Sequence, residues 1–295
     1  MDRQKNFEIK KILIPVDFSE TSFLAIEHAS FMARLLKAEI TLLHCIETYT
    51  VSSQLEVGPY EDLTAHIENE AHIKLKELAK DIHQATGIAV YTHYSVGRIY
   101  KKIVEYAQHI QADIIVMGTH GVSGFKEFVA GSNAYRVVSD AKCPVITVQA
   151  HATKIGFKQI VMPITDSHFS RQKVSYVSSI ASIYGAKVFI VGLIPSTGAE
   201  YESTFRVKIG QVEAYLTKHE VSYETVYMKE SQPAKQVMNF AIENKADLIA
   251  SVTEVEDGIE GFLIKSFPQQ IVNHSSIPVL SIQPDYNYEL TGAKL

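Results

Sequence analysis

The sequence predicts two tandem α/β domains, each an open parallel sheet with helices on both faces. Three observations carry that prediction. Short apolar runs of strand length alternate with longer stretches whose apolar residues recur at helical spacing, as βαβ units require. Landmarks of the first half return in the second: Pro163 follows Pro15 by 148 residues, and Pro278-Val279 follows Pro144-Val145 by 134. Finally, 295 residues suit two domains of ordinary size, each able to bury a core.

In chain order, Ile12-Leu13-Ile14 is a buried strand closed by Pro15, with Asp17 beyond its carboxyl end. Ser19 to Ser22 supply helix-start chemistry, and Ala25, Ala29, Met32, Ala33 and Leu36 form the stripe of the first helix. Ile40–Ile46 reads as a second strand. Residues 47–62 have no sustained period and read as a loop. Ile67, Ala71, Leu75, Leu78 and Ile82 mark a long helix ended by Gly87. Ile88–Ser95 is the third strand and Ile99–His109 the third helix. Ile114–Met117 is the fourth strand, Ala134, Val137, Val138 and Ala141 mark the fourth helix, and Cys143–Val148 is the fifth strand. Residues 149–157 read as a linker, and Gln159–Pro163 repeats the opening strand. The expected domains are residues 1–148 and 158–284.

Composition narrows the class. Hydrophobic content of 46% and charged content of 21% describe a soluble globular protein. A net charge of −5 and the lack of aromatic-basic interleaving argue against a nucleic-acid partner. No apolar run approaches the roughly 20 residues that cross a bilayer, and the first residues carry no apolar leader segment, so a cytoplasmic protein is expected. The two cysteines, Cys45 and Cys143, lie in strand-like runs and read as small reduced core residues. His44, Cys45 and His93 lack metal-ligand spacing, and adjacent strand residues point to opposite faces, so no metal site is expected there.

One stretch carries chemistry. Gly118 to Asn133 (GTHGVSGFKEFVAGSN) joins the end of the fourth strand to the start of a helix. Glycines let backbone approach a ligand, and a helix N-terminus attracts an anion. It is neither a P-loop, since no Gly-Lys-[Ser/Thr] follows, nor a Rossmann fingerprint near the first strand. The repeat supplies an internal control. Gly118, Gly121 and Gly131 become Val252, Val255 and Lys265 at the 134-residue offset, and only Ser132 survives, as Ser266. A loop needed merely to turn the chain would have been kept in both halves.

The spacing Gly118-x2-Gly121-x9-Gly131-Ser132 resembles the nucleotide-binding signature of the universal stress protein family. The resemblance is strong over residues 9–148 and weaker beyond. It implies a five-stranded sheet of order 3-2-1-4-5 in each domain. It also implies an adenine nucleotide, ATP or else ADP or AMP, in the first domain, with Mg²⁺ or Mn²⁺ as an accompanying ion. By the same resemblance Pro15, Asp17 and the backbone at Cys45 contact the nucleoside. Gly118 then lies near the ribose, with Gly121, Gly131, Ser132 and Asn133 near the phosphates. From the residues alone, Asp17 also fits a helix cap and Cys45 a plain core position. His120 and Lys126 read as solvent-facing or phosphate-facing.

Family dimers imply that the degenerate second domain is an intramolecular pairing partner, making a pseudo-dimer, with a homodimer as a further assembly. No phosphoryl-transfer motif surrounds the loop, so hydrolysis is expected to be slow or absent and no catalytic residue is assigned. The alternatives are a slow ATP-hydrolysing enzyme and a nucleotide-free scaffold or small-ligand binder.

Overall fold

A computed structural model describes residues 7–47, 60–119, 132–194, 199–229, 232–253 and 266–285. In the first half the elements are β1 (Lys11–Pro15), α1 (Glu20–Leu36), β2 (Glu39–Ile46), α2 (Tyr60–Thr86) and β3 (Val90–Val96). They continue as α3 (Ile99–His109), β4 (Ile114–Gly118), α4 (Ser132–Asp140) and β5 (Val145–Val148). The second half holds β6 (Gln159–Ile164), α5 (Val174–Tyr184), β7 (Lys187–Ile194), α6 (Ala199–Lys218) and β8 (Tyr223–Lys229). It ends with α7 (Pro233–Glu243), β9 (Leu248–Val252), α8 (Phe267–His274) and β10 (Val279–Ile282).

The first five strands run in the order β3-β2-β1-β4-β5 and the last five in the order β10-β9-β6-β7-β8. All pairs within a half are parallel. The halves join where β10 pairs antiparallel with β5, Leu280 opposite Ile146, so a single ten-stranded sheet runs through the chain.

Successive strand residues point to opposite faces, and each face receives its own helices. Ile12 and Ile14 pack with α1, α2, α5 and α6 on one face, while Leu13 packs with α3, α4, α7 and α8 on the other. Both cores are continuous across the two halves.

Local chemistry sets the boundaries. Ser19 caps α1, its side chain accepting from the Ser22 N–H, and Lys37 ends the helix in the left-handed conformation. Gly185 ends α5 the same way, 148 residues on. The pair Ala112-Asp113 returns as Ala246-Asp247, 134 residues on, with the same structural purpose. Asp113 accepts from the N–H groups of Lys10 and Lys11, and Asp247 from those of Lys158 and Gln159, each anchoring the start of its half's central strand.

Two expectations shift. α2 begins at Tyr60, inside the stretch read as loop, and residues 48–59 lie outside the described ones. The 149–157 segment is a packed strap. Ala152 and Phe157 are buried, His28 of α1 donates Nε2–H to the Ala152 carbonyl at 2.9 Å, and its ring stacks on Phe157 at 5.5 Å. A carbonyl only accepts, so His28 carries its proton on Nε2.

Candidate functional site

In a parallel sheet the crevice for a ligand opens where neighbouring crossovers leave in opposite directions. In the first half that point lies between β1 and β4. The residues expected there converge by construction. Pro15 ends β1 and Asp17 follows it, Cys45 lies near the end of β2, and Gly118 is the last residue of β4.

Asp17 has two relations. Its Oδ1 accepts from Ser19 N at 3.0 Å and Ser19 Oγ at 2.5 Å, so the carboxylate braces the cap of α1. No hydrogen bond to Oδ2 is found among the described residues, which leaves that oxygen with acceptor capacity. Phe18 stands in the left-handed region at φ 62°, a conformation that suits few residues outside glycine. This turn brings its ring to 5.0 Å from His44, whose Nδ1–H donates to the Val16 carbonyl at 2.7 Å. Phe18 and His44 thus form an aromatic wall beside Asp17 that the sequence did not reveal, because a non-glycine left-handed residue has no spacing signature. Burial pushes the Cys45 thiol up to about 12, so its side chain is a neutral packing group.

Gly118 has a geometric reason to be glycine. A Cβ there would lie 2.7 Å from Thr21 Oγ1, 2.8 Å from the Thr21 carbonyl carbon and 2.9 Å from Thr21 Cβ. The missing side chain lets the first turn of α1 rest directly on the end of β4. Asn133 is half-buried in the first turn of α4, which begins at Ser132. Gly121, Gly131, His120 and Lys126 lie outside the described residues, as does the side chain of Ser132.

The second half handles the same point differently. Val252 replaces Gly118 and is 4% exposed. The helix α5 starts at Val174, which corresponds to Ile26, six residues inside α1. Residues 168–173 are turns instead, closed by bonds from Ser170 N to Ser167 O, Gln172 N to Phe169 O and Val174 N to Arg171 O. The shortened helix makes room for the valine and opens a cavity of about 220 Å³ between the turns, the end of β9 and the start of α8. At the position of the Phe18–His44 wall, Gly192 replaces His44, and a Cβ on it would lie 2.9 Å from the Tyr227 ring and 3.3 Å from Phe205. Those rings fill that side.

Among the described residues no group of three metal-binding side chains gathers, and no helix is long and apolar enough to cross a membrane.

The fold defines a class: tandem open-sheet α/β domains, each with a crevice at its switch point, one lined by a glycine-bearing strand end and one altered. The family model described as "Universal stress protein family" matches residues 8–149 and 156–283. The chain belongs to the universal stress protein family. A universal stress protein of Methanocaldococcus jannaschii is 33% identical over 140 residues, covering 48% of this chain and 82% of the relative. One from Mycolicibacterium smegmatis is 24% identical over 293 residues, 92% of this chain and 97% of its own. A crystal structure of a universal stress protein from Archaeoglobus fulgidus shares the fold with a TM-score of 0.75 at 20% identity, covering 96% of this chain and 99% of that one.

Proposed function

We infer that this protein is a cytoplasmic adenine-nucleotide-binding regulatory module of the stress response. Residues 1–148 hold ATP, or ADP or AMP, and residues 158–284 act as a pairing partner. One observation carries the reading. The signature that begins at Gly118 opens from the switch-point crevice where Pro15, Asp17 and Cys45 converge, whereas the second half has lost both the glycines and the open adenine side.

The described residues fit the nucleoside half of such a ligand. Asp17 Oδ2 accepts a ribose hydroxyl, the Phe18 and His44 rings flank a base, and the Pro15 and Cys45 backbone lines the floor. The phosphates fall to Gly121, Gly131, Ser132 and Asn133, and the start of α4 at Ser132 supplies a helix dipole that favours negative charge. A Mg²⁺ or Mn²⁺ ion is then held chiefly by the phosphates, because Asp17 alone makes a weak site. The antiparallel junction of β5 with β10 supports reading the two halves as an intramolecular pseudo-dimer.

Calorimetry with ATP on the full chain tests this. One site per chain is expected, abolished by Gly131→Val and unaffected by Lys265→Ala. Two equivalent sites, or none, would overturn the reading.

A further inference from the structure

The joined sheet has two outer edges, β3 at one end and β8 at the other, and they are finished differently. Proteins guard a free edge with charge, proline or a bulge, because its unpaired N–H and C=O groups are a template for another strand. β8 carries Glu224 and Lys229, both exposed, and Arg206 lies over its Tyr227 ring at 4.2 Å. β3 is seven residues long, Val-Tyr-Thr-His-Tyr-Ser-Val, with no acid, lysine, arginine or proline. Its residues are chiefly β-branched and aromatic, the composition of a strand that pairs well. Tyr91 is 55% exposed, Tyr94 38% and Val96 36%. Among the described residues β2 is its sole strand partner.

The pairing with β2 fixes which backbone groups are left over. Ile40 N–H donates to the Ala89 carbonyl, and Gly97 N–H to the Ile46 carbonyl. Alternate residues of a strand turn the same way, so Tyr91, His93 and Ser95 bond to β2. Val90, Thr92, Tyr94 and Val96 direct their N–H and C=O outward. Antiparallel strands exchange paired hydrogen bonds where outward residues face outward residues. A two-fold axis through His93 meets that condition along the whole strand. Val90 then faces Val96, Thr92 faces Tyr94, and His93 faces its own copy. About eight hydrogen bonds form across such a join. The Val–Val and Thr–Tyr pairs are of the favourable cross-strand kind. This self-complementarity is what a closed pair of identical chains requires. Joining β3 to another copy's β8 would instead meet the charged edge and build an open filament. The β5–β10 seam shows that this sheet accepts an antiparallel edge-to-edge join with helices on both faces.

We propose that β3 is a dimerisation edge, pairing antiparallel with β3 of a second copy of this chain about a two-fold axis at His93. A single sheet then runs through both chains.

Sedimentation equilibrium of the full chain, up to about 100 µM, should show a monomer–dimer equilibrium with a micromolar Kd. Thr92→Pro removes an outward N–H that β2 does not use, so the fold should persist by circular dichroism. Dimerisation should weaken at least about tenfold, the scale of the hydrogen bonds lost from both chains. His93→Glu and His93→Lys each set like charges opposite one another across the axis, and each should weaken the dimer at least about tenfold. These exposed-site variants decide the matter if Thr92→Pro fails to fold. An equimolar mixture of the Glu and Lys chains should associate at least about tenfold more tightly than either alone, a rescue specific to this register. The proposal is overturned by a full chain that stays monomeric, by a dimer that survives His93→Glu, or by a mixture no more associated than its components.

Discussion

Replacing Gly118 with alanine isolates the packing that places the end of β4 beneath α1. The added methyl would lie 2.7–2.9 Å from three atoms of Thr21, one of them main chain. The Oγ1 contact can rotate away, but Thr21 Cβ and the carbonyl carbon at 2.8 Å cannot move unless the first turn of α1 moves with them. That turn is held by the Ser19 cap and by Asp17, so displacement also strains the brace beside the crevice. Overpacking of this kind costs about 1–3 kcal/mol.

Urea unfolding followed by circular dichroism should show that loss at unchanged slope, and ATP affinity should fall with it. A double-mutant cycle with Thr21→Gly sharpens the test. Removing the Thr21 side chain relieves two of the three contacts and leaves the one to main chain, so partial rescue is expected, with a coupling energy of about 1 kcal/mol. The mirror substitution, Val252→Ala, should instead cost about 1.5 kcal/mol from two lost buried methyls. A Gly118→Ala protein within about 0.5 kcal/mol of the parent, the range of an innocuous surface change, would refute the reasoning.

Other outcomes follow from burial and charge. Burial holds the His28 imidazole below its usual value, against the pull of the Ala152 carbonyl, Glu27 and Asp247. The unfolded chain therefore binds the proton more readily, so this contribution to stability is complete above about pH 6.5 and erodes as pH falls from there through the folded value. His28→Gln should flatten the pH dependence of urea unfolding below about pH 6.5 relative to the parent; parallel curves would contradict this. Burial also raises Cys45 to about 12 and Cys143 to about 11, so both half-buried thiols should label with a disulfide reagent at about pH 8 far more slowly in the native protein than in the unfolded chain. Rapid labelling of the native protein would exclude that environment. A chain of residues 1–148 would expose the β5 edge that β10 now covers, together with the Phe31 face that meets Tyr184, and should self-associate in sedimentation experiments. A strictly monomeric species at high concentration would count against it.

Much of this was legible in the sequence because the periodicities are strong and appear twice. Strands such as Ile114–Met117 and helices such as Ile99–His109 lie where spacing placed them, and the repeated Pro15 and Pro163 located the two central strands. The convergence of Pro15, Asp17, Cys45 and Gly118 followed from topology. What escaped had no periodic signal. The steric reason for Gly118 depends on Thr21, which is distant in sequence and adjacent only after folding. The late start of α5 was hidden because residues 168–173 contain ordinary helix-compatible types, and tertiary packing of Val252 overrides such weak preferences. One signal was present and unread: Lys173 interrupts the apolar stripe that the repeat would fill with alanine.

The seam between β5 and β10 has a consequence for how this protein responds to its own abundance. Two separate chains meeting edge to edge would be matched only above their dissociation constant, and dilution would part them. Here the 149–157 strap makes the encounter intramolecular, so the partner edge is present at a fixed effective concentration set by the tether. The seam stays formed whether the cell holds few copies or many. Self-complementarity is also no longer demanded, because each edge meets one particular, covalently assigned mate. That freedom allows one half to keep its glycines while the other exchanges them for valine and a buried lysine, and places two dissimilar crevices at a constant ratio on one sheet.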